Sequence, residues 1–515
     1  MLKRKEIFAL LLCLVIGFVL RFYTFEQKSL WLDEIYTFND ARYGLKDALN
    51  LYRENSAYLH PPLFFMLTHL FYPFTKPERD LRIIPLIFGT LSIPMVYLLA
   101  RLFSPHIALP CALSLTFMTY HISLSQDARS YAILMLFGIA SLYFFMKHLL
   151  TSKKTYLIPA ALFSSILFFT SYSSIPFIAL SQILWLYRPS DEAKKPTLSS
   201  FLILNGLILF FCLPWIIFLA TNYRGQPMMD PFQPKVHISL GDVISGVLHD
   251  WVPNQPLIIT SVVLLMLLPI FSKHKRNAFA LLMASILPIG GLYLFCKFFD
   301  IMHFITSRYF INLLPLFLIS LFLSVNTVEH KFARLKKFMR PQLLFLVLFV
   351  ASNFVILPFY YQSEKQDLRG LVSYLKGHLQ DGDKIFLGGM SFFTGVFHYF
   401  GIHPKARLLD LTMYKDSEKG VEFIMMPISD GNKTIRVYYS RTCCGQYVTD
   451  GSRLWIAVGG KQAAAEIKKN SPAVLKGYFD GSFVNFDRFP TDASIYLFLW
   501  DPKSPREKGI DIPIE

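Results

Sequence analysis

Charged residues are scarce in this sequence, and acidic ones scarcer still. Only 17% of the 515 residues are Asp, Glu, Lys or Arg, whereas 53% are hydrophobic and 16% aromatic. By length alone the chain has room for roughly three soluble domains, but so little charge belongs to the membrane class. The 35 acidic residues stand against 51 Lys and Arg, leaving a formal charge of +16, a surplus that in a soluble protein suggests nucleic acid. Cysteine is also sparse. Of the six, Cys13, Cys111, Cys212 and Cys296 lie inside apolar runs, where they act as small hydrophobes and say nothing about redox compartment. Cys443 and Cys444 are adjacent, and a disulfide between neighbours is strained. Internal repeats and low-complexity tracts are not evident. No small-residue cleavage site follows the basic, apolar start MLKRKEIFALLLCLVIGFVLRFY, which therefore reads as an uncleaved first span.

What the chain has in abundance is apolar runs. Those at residues 7–22, 83–103, 107–124, 131–150, 156–171, 175–187, 201–220, 257–271, 278–295, 310–325 and 343–360 predict about eleven transmembrane helices. Lys and Arg collect in alternate connections: Lys3, Arg4 and Lys5; Arg101; Lys153 and Lys154; Arg188, Lys194 and Lys195; Lys273, Lys275 and Arg276; and Lys331, Arg334, Lys336, Lys337 and Arg340. Basic loops stay on the cytoplasmic side, so the N-terminus is predicted inside. The positive surplus is then a topology signal, not a nucleic-acid footprint. An odd number of spans puts residues 362–515 outside, as a small α/β domain with a helix from Asp367 to Leu379, strands at KIFLGG and LWIAVGG, and a helix from Lys461 to Lys469. The expected architecture is thus a polytopic α-helical membrane unit, 1–361, carrying a C-terminal extracytoplasmic α/β domain, 362–515.

With that topology the chemically loaded residues fall on the outer face. The first outer loop, about 21–82, is long enough to carry its own structure or function. It places Asp33 and Glu34 just after Trp31 and Leu32, at a depth where Trp prefers the membrane interface. Adjacent carboxylates there are costly to keep ionised, so either can serve as a general base. They also suit a helix cap or a solvated turn. LKDALNLYRE and PLFFMLTHLF read as amphipathic helices on the bilayer surface. Between them His60 precedes Pro61-Pro62-Leu63, placed to donate to a phosphate, bind a metal or simply cap the next helix. Arg82, closing the loop, reads as a snorkelling anchor. The second outer loop holds Gln126-Asp127-Ala128-Arg129-Ser130-Tyr131, a polar run that is expensive at a membrane boundary unless paired; an Asp127–Arg129 pair stabilising the turn is the plain alternative. Before a late span come Arg308 and Tyr309, where Arg308 can hold an anionic headgroup or only anchor the helix end.

Asp-Glu in the first outer loop, then His-Pro-Pro-Leu, then Gln-Asp-Ala-Arg-Ser-Tyr, then Arg-Tyr before a late span: in this order the chain resembles the GT-C-fold membrane glycosyltransferases. Within them it is similar to the protein O-mannosyltransferases and the bacterial lipid A aminoarabinose transferase. The similarity covers about residues 1–325, and Pro214-Trp215 within a middle span also looks like that family. The resemblance implies inverting transfer of a sugar from a polyprenyl-phosphate carrier to a glycan, lipid or protein acceptor on the outer side of a bacterial inner membrane. It further implies Asp33 as catalytic base with Glu34 as alternative, Arg129, Arg308 and His60 on the donor phosphate, and Asp127, Gln126, Tyr131 and Tyr309 orienting substrate. Two departures matter. Many relatives carry a Thr-His-Tyr-like run where this chain has Thr170-Ser171-Tyr172, and the aminoarabinose transferase has an acidic metal-ligand position where Leu59 or His60 stands here. Both argue against a divalent metal, leaving no cofactor supported by the sequence. The rival reading, a transporter or flippase for a lipid-linked sugar, predicts midplane ionisable groups and repeated broken helices, which the sequence does not show.

Overall fold

A computed structural model describes residues 4–54, 60–188, 197–223, 238–299, 305–332, 340–403, 413–416, 421–439, 451–483, 491–503 and 509–510. Tyr58, Leu59, Lys194, Lys195, Arg334, Lys336, Lys337, Cys443 and Cys444 lie outside these residues. The first helix, α1 (Arg4–Phe22), is followed by four short helices in the first long loop: α2 (Leu32–Ala41), α3 (Leu45–Glu54), α4 (Leu63–His69) and α5 (Pro77–Asp80). The bundle continues with α6 (Ile83–Phe103), α7 (Pro105–Phe117), α8 (Thr119–Ser125), α9 (Tyr131–Thr151), α10 (Leu157–Thr170), α11 (Ile175–Leu180) and α12 (Leu198–Asn222). It closes with α13 (Leu240–Trp251), α14 (Gln255–Phe271), α15 (Lys275–Phe298), a 3₁₀ segment Ser307–Leu313, α16 (Leu314–Lys331) and α17 (Pro341–Gln362). Every apolar run read from the sequence is helical.

Fewer of them than expected satisfy length and apolarity for a crossing. Among the described residues six helices do, or eight if each of two bent pairs counts as one span. The shortfall has identifiable causes: α1 carries Arg4, Lys5, Glu6 and Arg21 at its ends, and the segments Lys154–Thr170 and Tyr172–Leu186 are short. Helix α13, bent 110° from α14, was not expected; a Ser239–Asp242 capping box starts it, satisfying the orphan N–H groups of its first turn.

The central helices α6 and α9 pack on each other and against α1, α7 and α10, while α16 lies against α7, α14, α15 and α17. One continuous apolar core joins them, from Cys13 through Ile139 and Leu184 to Phe349. The other bent pair, α7 and α8, turns 61° at Met118. Such a break exposes backbone groups that lipid cannot satisfy, and buried side chains supply the partners. Arg21 donates to Leu115 O at 2.8 Å and Thr116 O at 3.2 Å, and Asn353 accepts from Thr119 N at 2.9 Å.

Beyond α17 the chain forms α18 (Leu368–His378), β1 (Lys384–Leu387), α19 (Met390–Tyr399), β2 (Met413–Asp416), β3 (Val421–Asp430), β4 (Lys433–Tyr439), β5 (Leu454–Gly459), α20 (Lys461–Asn470), β6 (Val474–Phe479), β7 (Ser482–Phe483), β8 (Thr491–Asp492) and β9 (Ile495–Trp500). Seven strands make a mixed sheet in the order β2-β3-β4-β1-β5-β9-β6, with β1 parallel to both β4 and β5. Asp367 caps α18 by accepting from Gly370 N at 2.7 Å. One sheet face packs under α20 through Phe386, Ile456, Ala464 and Phe498. The other face, under α18 and α19, joins a core that also contains Leu30, Ile35, Phe38, Leu81 and Ala128. The domain is therefore docked on the segments 23–82 and 126–130, not tethered beside them. Tyr399 fixes this contact, accepting from Leu30 N at 2.7 Å and donating to Glu78 at 3.1 Å.

Candidate active site

Trp31 is the N-cap of helix α2, whose first turn carries both acidic residues, where the partial positive charge of the helix N-terminus favours them. The two neighbours then diverge. Glu34 is fully buried and held by Arg82 through two contacts of 2.7 and 2.6 Å, with Ala128 N donating at 2.8 Å. Arg82, far from snorkelling, is 2% exposed and also donates to the carbonyls of Phe25, Lys28 and Ser29. That pair ties the loop to α2 and leaves Glu34 no free lone pair facing solvent.

Asp33 points the other way. Its side chain is 20% exposed, against 0% for Glu34. Arg308 Nη1 lies 3.5 Å and Arg129 Nε 3.9 Å from its carboxylate, both beyond normal hydrogen-bond length, while Arg129 Nη1 donates to Asp33 O at 3.3 Å. The Tyr131 and Tyr309 rings sit 6.2 Å apart beside them, and the guanidinium of Arg308 lies 5.1 Å from the Trp31 ring and 5.7 Å from that of Tyr131. Such cation–π contacts hold a cation without consuming its hydrogen-bond donors. Burial opposes the charge of Arg129, but Asp33, Tyr131 and Tyr309 outweigh it and push its pKa up. The 3₁₀ segment bearing Arg308 is anchored by Ser307, which accepts from Tyr120 at 2.9 Å and donates to the buried Asp250.

The Gln126–Tyr131 run differs from its sequence reading. Asp127 pairs not with Arg129 but with Lys365, at 3.1 Å, and accepts from Trp31 Nε1 at 3.0 Å. Burial would raise its pKa, yet the charge of Lys365 and the Trp31 bond bring it below the usual carboxylate value. Both oxygens being engaged, Asp127 braces Trp31 and faces Lys365. Gln126 is likewise engaged: it donates to Arg21 O and Tyr23 O and accepts from Tyr360 at 2.6 Å, linking α17 to the end of α1. His60 is exposed before α4, its ring 6.3 Å from Phe65. Asp300 to Phe304 lie outside the described residues. Sequence reasoning missed Lys365, Asp250 and the hydrogen bond from Trp215 to Tyr172 at 2.9 Å. A lone Lys just past a span reads as an interfacial anchor, and no spacing links it to a loop more than two hundred residues earlier. Among the described residues no group of three or more His, Cys, Asp or Glu is disposed to hold a metal ion.

Residues 59–218 match the family model described as dolichyl-phosphate-mannose-protein mannosyltransferase. That segment includes His60, the Gln126–Tyr131 run and Pro214-Trp215, but not Asp33 or Arg308. No curated protein sequence matches the chain. Two crystal structures of ArnT from Cupriavidus metallidurans superpose over 96% of this chain and 97% of theirs at 11% identity, the apo form with TM-score 0.50 and the form bound to undecaprenyl phosphate with 0.51. The chain thus has the fold of the GT-C membrane glycosyltransferases, and over residues 59–218 it is similar to the protein mannosyltransferase family.

Proposed function

We propose that the protein transfers a monosaccharide from a polyprenyl-phosphate donor to an acceptor glycan, lipid or protein at the outer face of the membrane, with inversion. The observation that carries this reading is the part-exposed Asp33 carboxylate held loosely between Arg308 and Arg129 at 3.5 and 3.9 Å. Before the donor arrives the two guanidiniums neutralise Asp33. A donor phosphodiester, singly charged but offering two oxygens suited to bidentate contact, competes for them and frees the carboxylate. The acceptor hydroxyl oxygen then attacks the anomeric carbon as its bond to the phosphate oxygen breaks. Asp33 takes the hydroxyl proton. The electron pair leaves on the polyprenyl phosphate, whose growing charge Arg308 and Arg129 receive. A single displacement inverts the anomeric centre.

On this reading Glu34, Asp127 and Gln126 position the loops, while Tyr131 and Tyr309 line the sugar side. The alternating basic loops support an N-terminus in the cytoplasm and the C-terminal domain outside, with about eleven segments traversing or entering the bilayer. A lipid-anchored donor suits a site at the membrane edge, because the carrier cannot leave the bilayer.

The test supplies radiolabelled polyprenyl-phosphate sugars to membranes containing the native chain or Asp33→Asn at equal levels. Label leaving the lipid fraction only with the native chain is expected. Undiminished transfer by the variant would remove Asp33 as base, and no transfer from any donor would favour a carrier-handling protein without catalysis.

A further inference from the structure

The stretch between α17 and α18 is not a slack tether. Ser29 N donates to the Glu364 carboxylate at 3.0 Å, Glu364 N donates to Asp480 at 3.1 Å, and Ser482 N donates to Glu364 O at 2.7 Å. Held from both sides, the next residue directs its side chain into the site. Lys365, 12% exposed, places its ammonium 3.1 Å from Asp127 and 5.0 Å from the Trp31 ring. The same indole carries Arg308 at 5.1 Å, and Arg308 reaches Asp33 at 3.5 Å.

We propose that Lys365 is a positioning residue: by neutralising buried Asp127 and bracing Trp31, it leaves Arg308 to Asp33 and the donor phosphate, so that the C-terminal domain completes the active site. The inference rests on the glycosyltransferase reading. Asp127 is 2% exposed, and a buried carboxylate that loses its cation is strongly destabilised. Arg308, whose charge already acts on Asp127, is the group it would draw. Arg308 would then leave the side of Trp31 that faces Asp33, and the donor phosphate would lose a contact.

The experiment is a charge cycle in the full chain, reconstituted in lipid nanodiscs, with kcat and donor KM measured for Lys365→Met, Lys365→Arg, Asp127→Asn and Lys365→Met/Asp127→Asn. Lys365→Met is expected to raise donor KM about tenfold or more, the equivalent of roughly 1.4 kcal/mol. Lys365→Arg, which keeps the charge, should stay near native. The double variant should regain most of the loss, because the amide oxygen that Asp127→Asn introduces still accepts from Trp31 and no buried charge remains to pull on Arg308. If Lys365→Met lowers the melting temperature, the double variant carries the comparison. Native KM in Lys365→Met, or a double variant no better than the single one, would overturn the proposal. A native chain that transfers from no polyprenyl-phosphate donor would overturn the functional reading along with it; a transferring native chain with an equally active Lys365→Met would overturn the positioning role alone.

Discussion

A carboxylate that accepts a proton must keep a lone pair within reach of substrate, and the two acidic neighbours on the first turn of α2 divide on that point. Glu34 commits its oxygens to Arg82 and Ala128 N, whereas Asp33 meets its cations only at 3.5 and 3.9 Å. Stability and activity should therefore separate between adjacent positions. Glu34→Gln leaves Arg82 as a buried, uncompensated charge and is expected to cost about 3–5 kcal/mol, visible as a lowered melting temperature in detergent. Asp33→Asn removes only a part-exposed, loosely paired charge, so a change within about 1 kcal/mol is expected while transfer is lost. A Glu34→Gln variant that melts like the native chain yet is inactive would return Glu34 to the chemistry. The sequence presented both carboxylates alike, because one residue of helical rotation, about 100°, sends one toward the core and the other toward the opening. Only packed neighbours tell which is which.

Among the elements, the break at Met118 matters most for the site, because α8 leads directly into Gln126, Asp127 and Arg129. The run 107–124 holds no charged Asp, Glu, Lys or Arg, and its break carries no Pro or Gly signal at the bend itself. What makes the bend tolerable is distant: Arg21 from α1 and Asn353 from α17 satisfy the opened backbone. Asn353→Leu should leave Thr119 N unpaired and destabilise by about 1–3 kcal/mol, and it should lower transfer although Asn353 touches no substrate, since α8 aims the Gln126–Tyr131 run. A melting scan alongside the transfer assay checks both; an unchanged melting temperature would mean that water or another side chain replaces the bond. The apolar helices themselves were legible, since hydrophobic length is a local property. Their bends and the short helix α13 were not. Pro77–Phe103 and Pro341–Gln362 have similar mean hydropathies, 2.1 and 2.3, yet are 61% and 28% buried over their apolar windows, so packing divides comparably apolar runs between peripheral and core positions.

For the whole molecule, the docking of the C-terminal domain is the arrangement on which the site depends. Phe38 of α2 lies 4.7 Å from the ring of His398 and 4.8 Å from that of His403, one helical face away from Asp33. Burial, aided by His403 and Arg42, pushes the pKa of His398 down from 6.5 to about 3. A histidine with a depressed folded pKa binds more protons when unfolded, so stability rises with pH across that window and is lost as pH falls below about 6.5. Docking should accordingly loosen toward pH 5, with faster proteolysis between residues 362 and 368, and His398→Phe should blunt that pH dependence. Equal cleavage rates at pH 5 and pH 7.5 in the native chain would rule this out. Nothing in the order of residues announced the contact, since Leu30 and Phe38 are separated from Tyr399 by more than three hundred positions and each reads as an ordinary apolar or interfacial residue.

The sequence by itself determined a membrane chain, its apolar helices, a C-terminal domain with strands and the polar motifs that hold Asp33, Arg129 and Arg308. All of these depend on composition and on spacing within a few turns. Tertiary structure alone decided that Glu34 belongs to Arg82, that Asp127 belongs to Lys365, and that the C-terminal domain shares a core with Leu30, Ile35, Phe38, Leu81 and Ala128. Those pairings join residues tens to hundreds of positions apart, and burial makes each charge seek whichever partner the packed fold brings within about 3 Å.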